Sequence, residues 1–450
     1  MWPIILFNTP FNLTCSADGG SYTIEGTKGK YYFVSNEWEG QGGVITWEGQ
    51  GLAKDSVYAT ISDYKIDTRK SQLVADSAVF YNKYIFPSPI IGQVINKVAS
   101  ARQAKNFPKF TSYSKNVEMK EIFPNVDYKG GYKMQGKKFI ADGGDYAQAR
   151  IIFKRNGTPV FVANANRFSI GTDKIVSQGA GIKIFFDADS IYHANLQFKY
   201  IDSKRQLQLF RDVNGISGAP MLNTYHNVTM DFELLQWNID KDIITFGSLP
   251  GTAESRVDFE SVDMYLQEKF ESMQGVDAIH PLMLVNNYVR EKQEEKFYVE
   301  DFARFARFPL AQIQHYLIQL ANDGFIFYDF GEERISVLPK LYNYVNAASE
   351  LGDYDVIAFN SVISSGEYKT NEKYLVNAAL NLATKDLNIL GIHKIELSKE
   401  REVYLYPKDG LLVIKKNRDF IFNGQIFAGK GRLNLFGREF FFHYDEFKVD

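Results

Sequence analysis

The sequence predicts a mainly β protein: a body of stacked β repeats, closed as a β-solenoid or left as an open β-jelly roll, with one α+β block inserted into it. Three observations predict this class. A strand phrase recurs, Ile61-Ser62-Asp63-Tyr64-Lys65-Ile66-Asp67 returning as Tyr444-Asp445-Glu446-Phe447-Lys448-Val449-Asp450 and more loosely as Ala165-Asn166-Arg167-Phe168-Ser169-Ile170. Repeats at strand period signal stacked units, none of which buries its apolar face alone. Aromatic residues make up 15% of the chain, mostly Phe and Tyr, and these suit pleated, half-buried surfaces. Sustained helical periodicity, finally, is confined to residues 279–348.

Residues 21–86 read as strands, among them Gly43-Val44-Ile45-Thr46-Trp47-Glu48, Val57-Tyr58-Ala59-Thr60-Ile61, Leu73-Val74-Ala75-Asp76 and Ala78-Val79-Phe80-Tyr81. Gly and Asp mark the breaks, as turns require. Residues 87–108 are less regular, and Gly92-Gln93-Val94-Ile95-Asn96-Lys97-Val98-Ala99-Ser100-Ala101 reads as one short helix. Strands resume at Gly131-Tyr132-Lys133-Met134 and continue to about Thr245, through Arg150-Ile151-Ile152-Phe153-Lys154, Gly181-Ile182-Lys183-Ile184-Phe185-Phe186 and Leu196-Gln197-Phe198-Lys199-Tyr200-Ile201. Each unit is strand, polar turn, strand, with apolar side chains alternating at period two. One face therefore meets an interior and the other meets solvent.

The block at 279–348 differs. Residues 281–294 carry the helical stripe Leu282, Leu284, Val285, Tyr288 and Val289, and residues 299–308 form a second short helix with Phe302, Phe305 and Ala306 on one side. A third helix starts at Pro309, a favoured first-turn residue. It buries Leu310, Ile313, Tyr316, Leu317, Leu320 and Ala321, and ends at Gly324. Phe325-Ile326-Phe327-Tyr328 then turns through Asp329-Phe330-Gly331-Glu332-Glu333 into Arg334-Ile335-Ser336-Val337-Leu338, a hairpin. Helix, helix, helix, hairpin resembles a winged helix.

The resemblance implies DNA reading through the third helix, yet no Lys or Arg lies between Phe308 and Gly324, and the hairpin carries Asp329, Glu332 and Glu333 beside Arg334. Phosphate contact dominates nucleic-acid affinity and needs cations. Nucleic acid is therefore the runner-up, and the block reads as a protein-docking or packing module. Its candidate partner surface is Gln312, His315, Gln319 and Arg334.

After Tyr354 strands return: Val356-Ile357-Ala358-Phe359, residues 374–382, Asp386-Leu387-Asn388-Ile389-Leu390, and a regular set from Glu402 to Asp450 with Gly410, Gly424, Gly431 and Gly437 at its corners. The expected organisation is a β-repeat region at 1–278, the winged-helix-like insert at 279–348, and a second β-repeat region at 349–450 that continues in a longer chain. The cadence of residues 424–450, and more weakly 43–67, resembles the organic-solvent-tolerance (OstA-type), lipopolysaccharide-transport repeat, a β-jelly roll with a greasy groove. At larger scale Phe123-Pro124-Asn125-Val126-Asp127-Tyr128-Lys129-Gly130-Gly131, Asp189-Ser190-Ile191-Tyr192-His193 and Tyr354-Asp355-Val356-Ile357-Ala358-Phe359-Asn360 resemble long, uncharacterised cell-envelope proteins of Bacteroidota. These resemblances imply a periplasmic or outer-membrane-associated scaffold, with lipid as an alternative cargo; exposed edge strands need covering, so the expected partners are another protein or further repeats of a longer chain.

Composition narrows the chemistry. An apolar fraction of 45% and a charged fraction of 23% describe a folded chain, and a net charge of −3 gives no general attraction to nucleic acid or anionic membranes. No stretch of about 18 apolar residues is present to span a bilayer as a helix, and the single cysteine, Cys15, makes an intrachain disulfide impossible. The start of the chain, Met1-Trp2-Pro3-Ile4, lacks the basic region of a signal peptide.

His193, His226, His280, His315, His393 and His443 fall at no zinc-signature spacing, and no Gly-x-Ser-x-Gly elbow supports a hydrolase. The carboxylate pairs Asp187/Asp189, Asp142/Asp145 and Asp445/Glu446 read as strand-end residues before they read as glycosidase acids, and Asp142-Gly143-Gly144-Asp145 lacks the ligand density of an EF-hand loop. The expectation is a non-enzymatic structural or interaction protein with no catalytic, cofactor or metal residues.

Overall fold

A computed structural model describes residues 3–17, 20–143, 148–211, 218–274, 279–329, 333–355, 357–365 and 375–450. The protein is mainly β, with antiparallel strand pairing throughout its sheets. The chain divides into two compact units, residues 1–157 with 164–177, and residues 158–163 with 178–450.

In the first unit, β1 (Ile4–Ala17) pairs with β2 (Gly20–Tyr32). The chain then runs through β3 (Glu37–Gln41), β4 (Val44–Thr46), β5 (Val57–Thr60), β6 (Asp63–Asp67) and β7 (Gln72–Asn82). β2 pairs with both β3 and β4; β3 pairs with β6, and β6 with β7. β8 (Ile90–Lys97), helix α1 (Ala101–Ala104), β9 (Lys109–Ser112) and β10 (Val117–Phe123) lead to β11 (Val126–Gln135). The same cycle then repeats with β12 (Lys138–Asp142), β13 (Ala149–Arg155), β14 (Thr158–Ala165), β15 (Arg167–Ile170) and β16 (Lys174–Phe186), of which residues 158–163 and 178–186 belong to the second unit. β11 pairs with β12 and β13, β12 with β15, and β15 with β16.

The recurring phrase thus marks equivalent strands: Tyr64 and Ile66 point inward in β6, as Phe168 and Ile170 do in β15. The terminal copy behaves otherwise. Residues 444–447 form a turn with Phe447 at φ 52°, and only Lys448 and Val449 are strand. Likeness of a short phrase does not set conformation when the pairing partners differ.

β7 shows why two runs appear in the sequence where one strand exists. Ser77 (φ 61°) bulges out, and the register with β8 shifts between Ala75 and Ala78. The extra residue keeps Leu73 and Ala75 on the same inward face as Ala78 and Phe80. The helix expected from Gly92 to Ala101 is instead mostly β8, with α1 beginning only at its last residue. Val94 and its β-branched neighbour Ile95 lie between two strands, β7 and β9, and ladder bonds there override a weak helical period. Inside the unit an aromatic row connects successive strands: Trp47 to Phe80 (5.1 Å between centroids), Phe80 to Phe110 (4.3 Å), Phe80 to Tyr132 (5.7 Å) and Tyr132 to Phe139 (4.9 Å).

The second unit begins its own cycle. β17 (Asp189–Ile201) pairs with β18 (Gln206–Phe210) and with β19 (Met221–Asn223), which in turn pairs with β20 (Val228–Asp231). β18 pairs with β21 (Leu234–Asn238), and β21 with β22 (Ile243–Gly247). β23 (Glu254–Ser261) lies against β20, and from its end the helical block departs.

The block comprises α2 (Gln267–Gln274), α3 (Pro281–Lys292), β24 (Lys296–Tyr298), α4 (Val299–Ala306), α5 (Leu310–Asn322), β25 (Ile326–Asp329), β26 (Arg334–Val337) and α6 (Pro339–Ala348). Its small sheet has the order β24–β26–β25, and its core runs from Tyr265 through Leu282, Phe302, Ile313, Leu317 and Phe325 to Ala347. Leu310, expected in that core, is exposed on the first turn of α5, and Tyr316 is only half-buried. The sequence reading missed α2, β24 and α6, although Pro339 in a first turn followed by Leu341, Tyr344 and Val345 on one face signals α6.

The chain returns as β27 (Ala358–Ser364), which pairs antiparallel with β23 from Glu260↔Ala358 to Glu254↔Ser364. The block therefore hangs from the open end of a two-strand ladder. β28 (Val376–Asn381), β29 (Leu387–Ile389), β30 (Ile395–Ser398), β31 (Val403–Ile414), β32 (Phe420–Ala428), β33 (Leu433–His443) and β34 (Lys448–Val449) complete the unit.

Candidate functional site at the root of the helical block

The two connections between block and strands meet at a buried arginine. Arg418 Nη1 donates to Asp355 Oδ2 (2.6 Å), Asp263 Oδ2 (2.8 Å) and Ser261 Oγ (3.0 Å), while Nη2 donates to Asp445 Oδ1 (2.9 Å). Ser261 and Asp263 lie where the chain enters the block and Asp355 where it leaves. The backbone joins them as well, through Tyr265 N–H to Asp355 O (3.0 Å) and Asp355 N–H to Asp263 O (3.1 Å).

The guanidinium lies 4.8 Å from the Tyr444 ring centroid. Two consecutive left-handed residues, Asn417 (φ 55°) and Arg418 (φ 71°), place it there, and Asn417 N–H is tied to Tyr225 O (3.1 Å). Burial raises the Asp355 pKa, with Asp263 and Asp445 adding to the rise against Ser261 and Arg418. Burial works against the arginine charge too, but the three carboxylates more than offset it and the Arg418 pKa ends higher. The cluster is a clamp, with its charges committed to one another.

Beside the clamp a cavity of about 220 Å³ separates the block from the sheet. Its walls are mainly apolar: Ala194, Pro220, Leu222 and Val262 on the strand side, Ala321, Ile326, Phe327 and Leu338 on the block side. Several polar residues on the wall are already bonded, Thr229 among them through Oγ1 to Glu260 O (3.4 Å). His193 Nδ1 accepts from Asn195 N–H (3.0 Å) and its Nε2 faces Ala219 O (2.8 Å), so the ring is held neutral; burial lowers its pKa to about 4. Thr224 Oγ1 donates to Asp189 (3.1 Å), and Asn227 Nδ2 to Asn417 Oδ1 (3.2 Å).

Lys340, in the first turn of α6, also lines the cavity and is 8% exposed. Its Nζ donates to Asp323 O (3.0 Å) and lies 5.2 Å and 5.9 Å from the ring centroids of Phe325 and Tyr344. Burial pulls its pKa down to about 8, with Lys269 pushing the same way and Glu260, Asp323 and Asp231 opposing.

The residues singled out in the sequence fall elsewhere. His315 and Gln319 are exposed on α5, and Gln312 is half-buried one turn earlier with Nε2 3.5 Å from Tyr316 OH. Arg334 sits on β26 with its guanidinium 5.6 Å from the Tyr298 centroid, so α5 and the hairpin present the four on separate elements. Asp187 pairs with Lys385, Asp189 holds Thr224, Asp142 pairs with Lys115 (3.1 Å), and Asp445 belongs to the clamp; Asp145 and Glu332 lie outside the described residues.

His226 and His280 are buried and locally bonded, through Nε2 to Lys385 O (2.9 Å) and Phe270 O (2.7 Å). Among the described residues no group of three His, Cys, Asp or Glu is arranged to hold a metal, and no helix is long and apolar enough to cross a membrane. Arg418, Asp263, Asp355 and Lys340 had escaped the sequence reading. The clamp joins four separate segments with no local signature, whereas Lys340 carries one: a lysine four residues before Tyr344 on the apolar face of α6. No family model matches the chain, and no curated protein matches it.

Proposed function

We propose that the protein is a non-enzymatic structural and interaction protein of the bacterial cell envelope. In this reading an OstA-like open jelly roll carries a winged-helix-like block that serves as a packing and protein-docking module. The observation that carries it is the pairing cycle. One strand pairs with the next two, the nearer of these pairs three strands onward, and that strand pairs with its successor; the cycle occurs at β2–β7, β11–β16 and β17–β22. A repeat built this way enlarges a body and its surface without assembling a reactive centre.

The aromatic row through Phe80 and Tyr132 packs the interior between β7, β9 and β11, which favours a structural body over a lipid conduit there. Helix, strand, helix, helix, hairpin with sheet order β24–β26–β25 supports the winged-helix reading, and α5 without Lys or Arg supports protein over DNA as its partner. The envelope assignment rests on the resemblance of residues 424–450 to the OstA-type repeat.

Fractionation of bacterial cells carrying the full chain at native level tests both parts. The wild type is expected to sediment with envelope fractions. His315→Glu with Gln319→Glu, both solvent-exposed, is expected to release it without changing its circular dichroism. Recovery of the wild type in the soluble cytosolic fraction overturns the compartment, and a double variant that stays bound overturns α5 as the docking face.

A further inference from the structure

The cavity between α6 and the β19–β20 strands joins three features that point to a ligand. It is large enough: an apolar cavity of about 150 Å³ accommodates benzene, so 220 Å³ holds a ring with a short substituent. Its walls are apolar over most of their area, which selects a compact hydrophobic body. Its lining also includes one cationic residue, Lys340. An ammonium carries three N–H donors, and Lys340 directs one to Asp323 O, while the Asp323 carboxylate itself pairs with Lys269 (3.2 Å).

The N-terminus of α6 adds to the positive side. Leu338, Pro339 and Lys340 all line the cavity, and the N-cap Leu338 supplies no side-chain acceptor to the first turn. Among the other wall hydrogen-bonders, His193, Thr224, Asn227 and Thr229 are already engaged within the fold, and Tyr192 lines the wall beside them.

We propose that this cavity binds a small monocarboxylate with an apolar body, of arylalkanoate size, its carboxylate lying on the Lys340 ammonium at the start of α6. A single cation in apolar walls favours a monoanion over a dianion, whose second charge would be buried without a partner. A neutral ligand of the same shape gains no charge pairing with the ammonium. The site is independent of the envelope reading above.

The test uses the full chain, with 3-phenylpropionate and its neutral counterpart 3-phenylpropan-1-ol as probes in titration calorimetry. The carboxylate is expected to bind at roughly millimolar Kd or tighter, and about tenfold or more tighter than the alcohol. Lys340→Met, which keeps an unbranched stem over Phe325 and Tyr344, is expected to remove that preference. Ala194→Phe, which fills the cavity, is expected to abolish both ligands.

On the wild type the affinity for the carboxylate is expected to hold at neutral pH and fall above about pH 8, as the ammonium loses its proton. The charged groups acting on Lys340 are Lys269, Glu260, Asp323 and Asp231, while His193 on the wall stays neutral through this range. Equal binding of acid and alcohol, no binding of either at about 10 mM, a preference that survives Lys340→Met, or a flat pH profile overturns the proposal.

Discussion

Removing the arginine from the clamp at the root of the block should cost far more than removing any one of its carboxylates. In Arg418→Met three acidic side chains and Ser261 keep their places around an apolar group. The cost depends on how far each carboxylate is from water. Asp445 is 67% exposed, so its pair contributes about 0–1 kcal/mol. Asp263 is intermediate at 40%, while the Asp355–Arg418 pair is 22% and 10% exposed and carries most of the interaction. Breaking a largely buried pair from one side costs about 3–5 kcal/mol, and the partial exposure here places Arg418→Met near the lower end, about 3 kcal/mol. Asp355→Asn should cost about 1 kcal/mol, because Asp263 still meets the guanidinium and a buried charge has been removed.

The sign with pH follows from Asp355, whose pKa is already raised by burial and rises further once its cation is gone. A raised carboxylate favours the fold when protonated, so the Arg418→Met defect should shrink as pH falls from about 7 toward 5. Urea unfolding of protein carrying 5-fluorotryptophan provides the assay. Trp237 is the one tryptophan of the second unit, and Trp38 and Trp47 report the first. An Arg418→Met cost below about 1 kcal/mol, or one equal to that of Asp355→Asn, would refute the clamp.

Further outcomes are expected. All six histidines belong to the second unit, and His193 and His226 are held neutral with pKa values lowered by burial to about 4. Their stabilisation, up to about 3 kcal/mol each, is present above pH 6.5 and lost as pH falls toward 4, so acid should unfold the Trp237 signal before those of Trp38 and Trp47. Simultaneous loss of all three signals would contradict this. Phe80→Ala, at the centre of the aromatic row and fully buried, should destabilise the first unit by about 3–5 kcal/mol and leave the Trp237 transition unmoved. Gly391→Ala should cost about 2–3 kcal/mol in the second unit, since the residue sits at φ 75° and its Cβ would stand 2.3 Å from Val362 O. A neutral result in urea would show that this turn adjusts freely.

Strand content, the position of the helical block and three of its helices were legible because each depends on local periodicity. Val57 and Ala59 alternate inward in β5, Tyr64 and Ile66 in β6, and Ile313, Leu317 and Leu320 recur at helical spacing in α5. Legibility failed where partners decide conformation. Residues 92–97 became strand because β7 and β9 flank them, and the terminal phrase became a turn because β33 and β34 pair across it, His443 opposite Lys448.

The site was less legible than the fold. Gln312, His315 and Gln319 were correctly placed on α5, but burial and charge pairing depend on residues remote in sequence. Arg418 meets Ser261, Asp263, Asp355 and Asp445, and Lys340 meets Asp323 across a helix end. By itself, then, the sequence determined which segments pleat, which coil and where the block is inserted, because backbone period and turn chemistry act over a few residues. Only the tertiary structure decided that the block hangs from β23 and β27, that one arginine binds its two roots, and that a lysine shares an apolar cavity with a neutral histidine. Desolvation and Coulomb interaction depend on distance in space, and along the chain those distances are invisible.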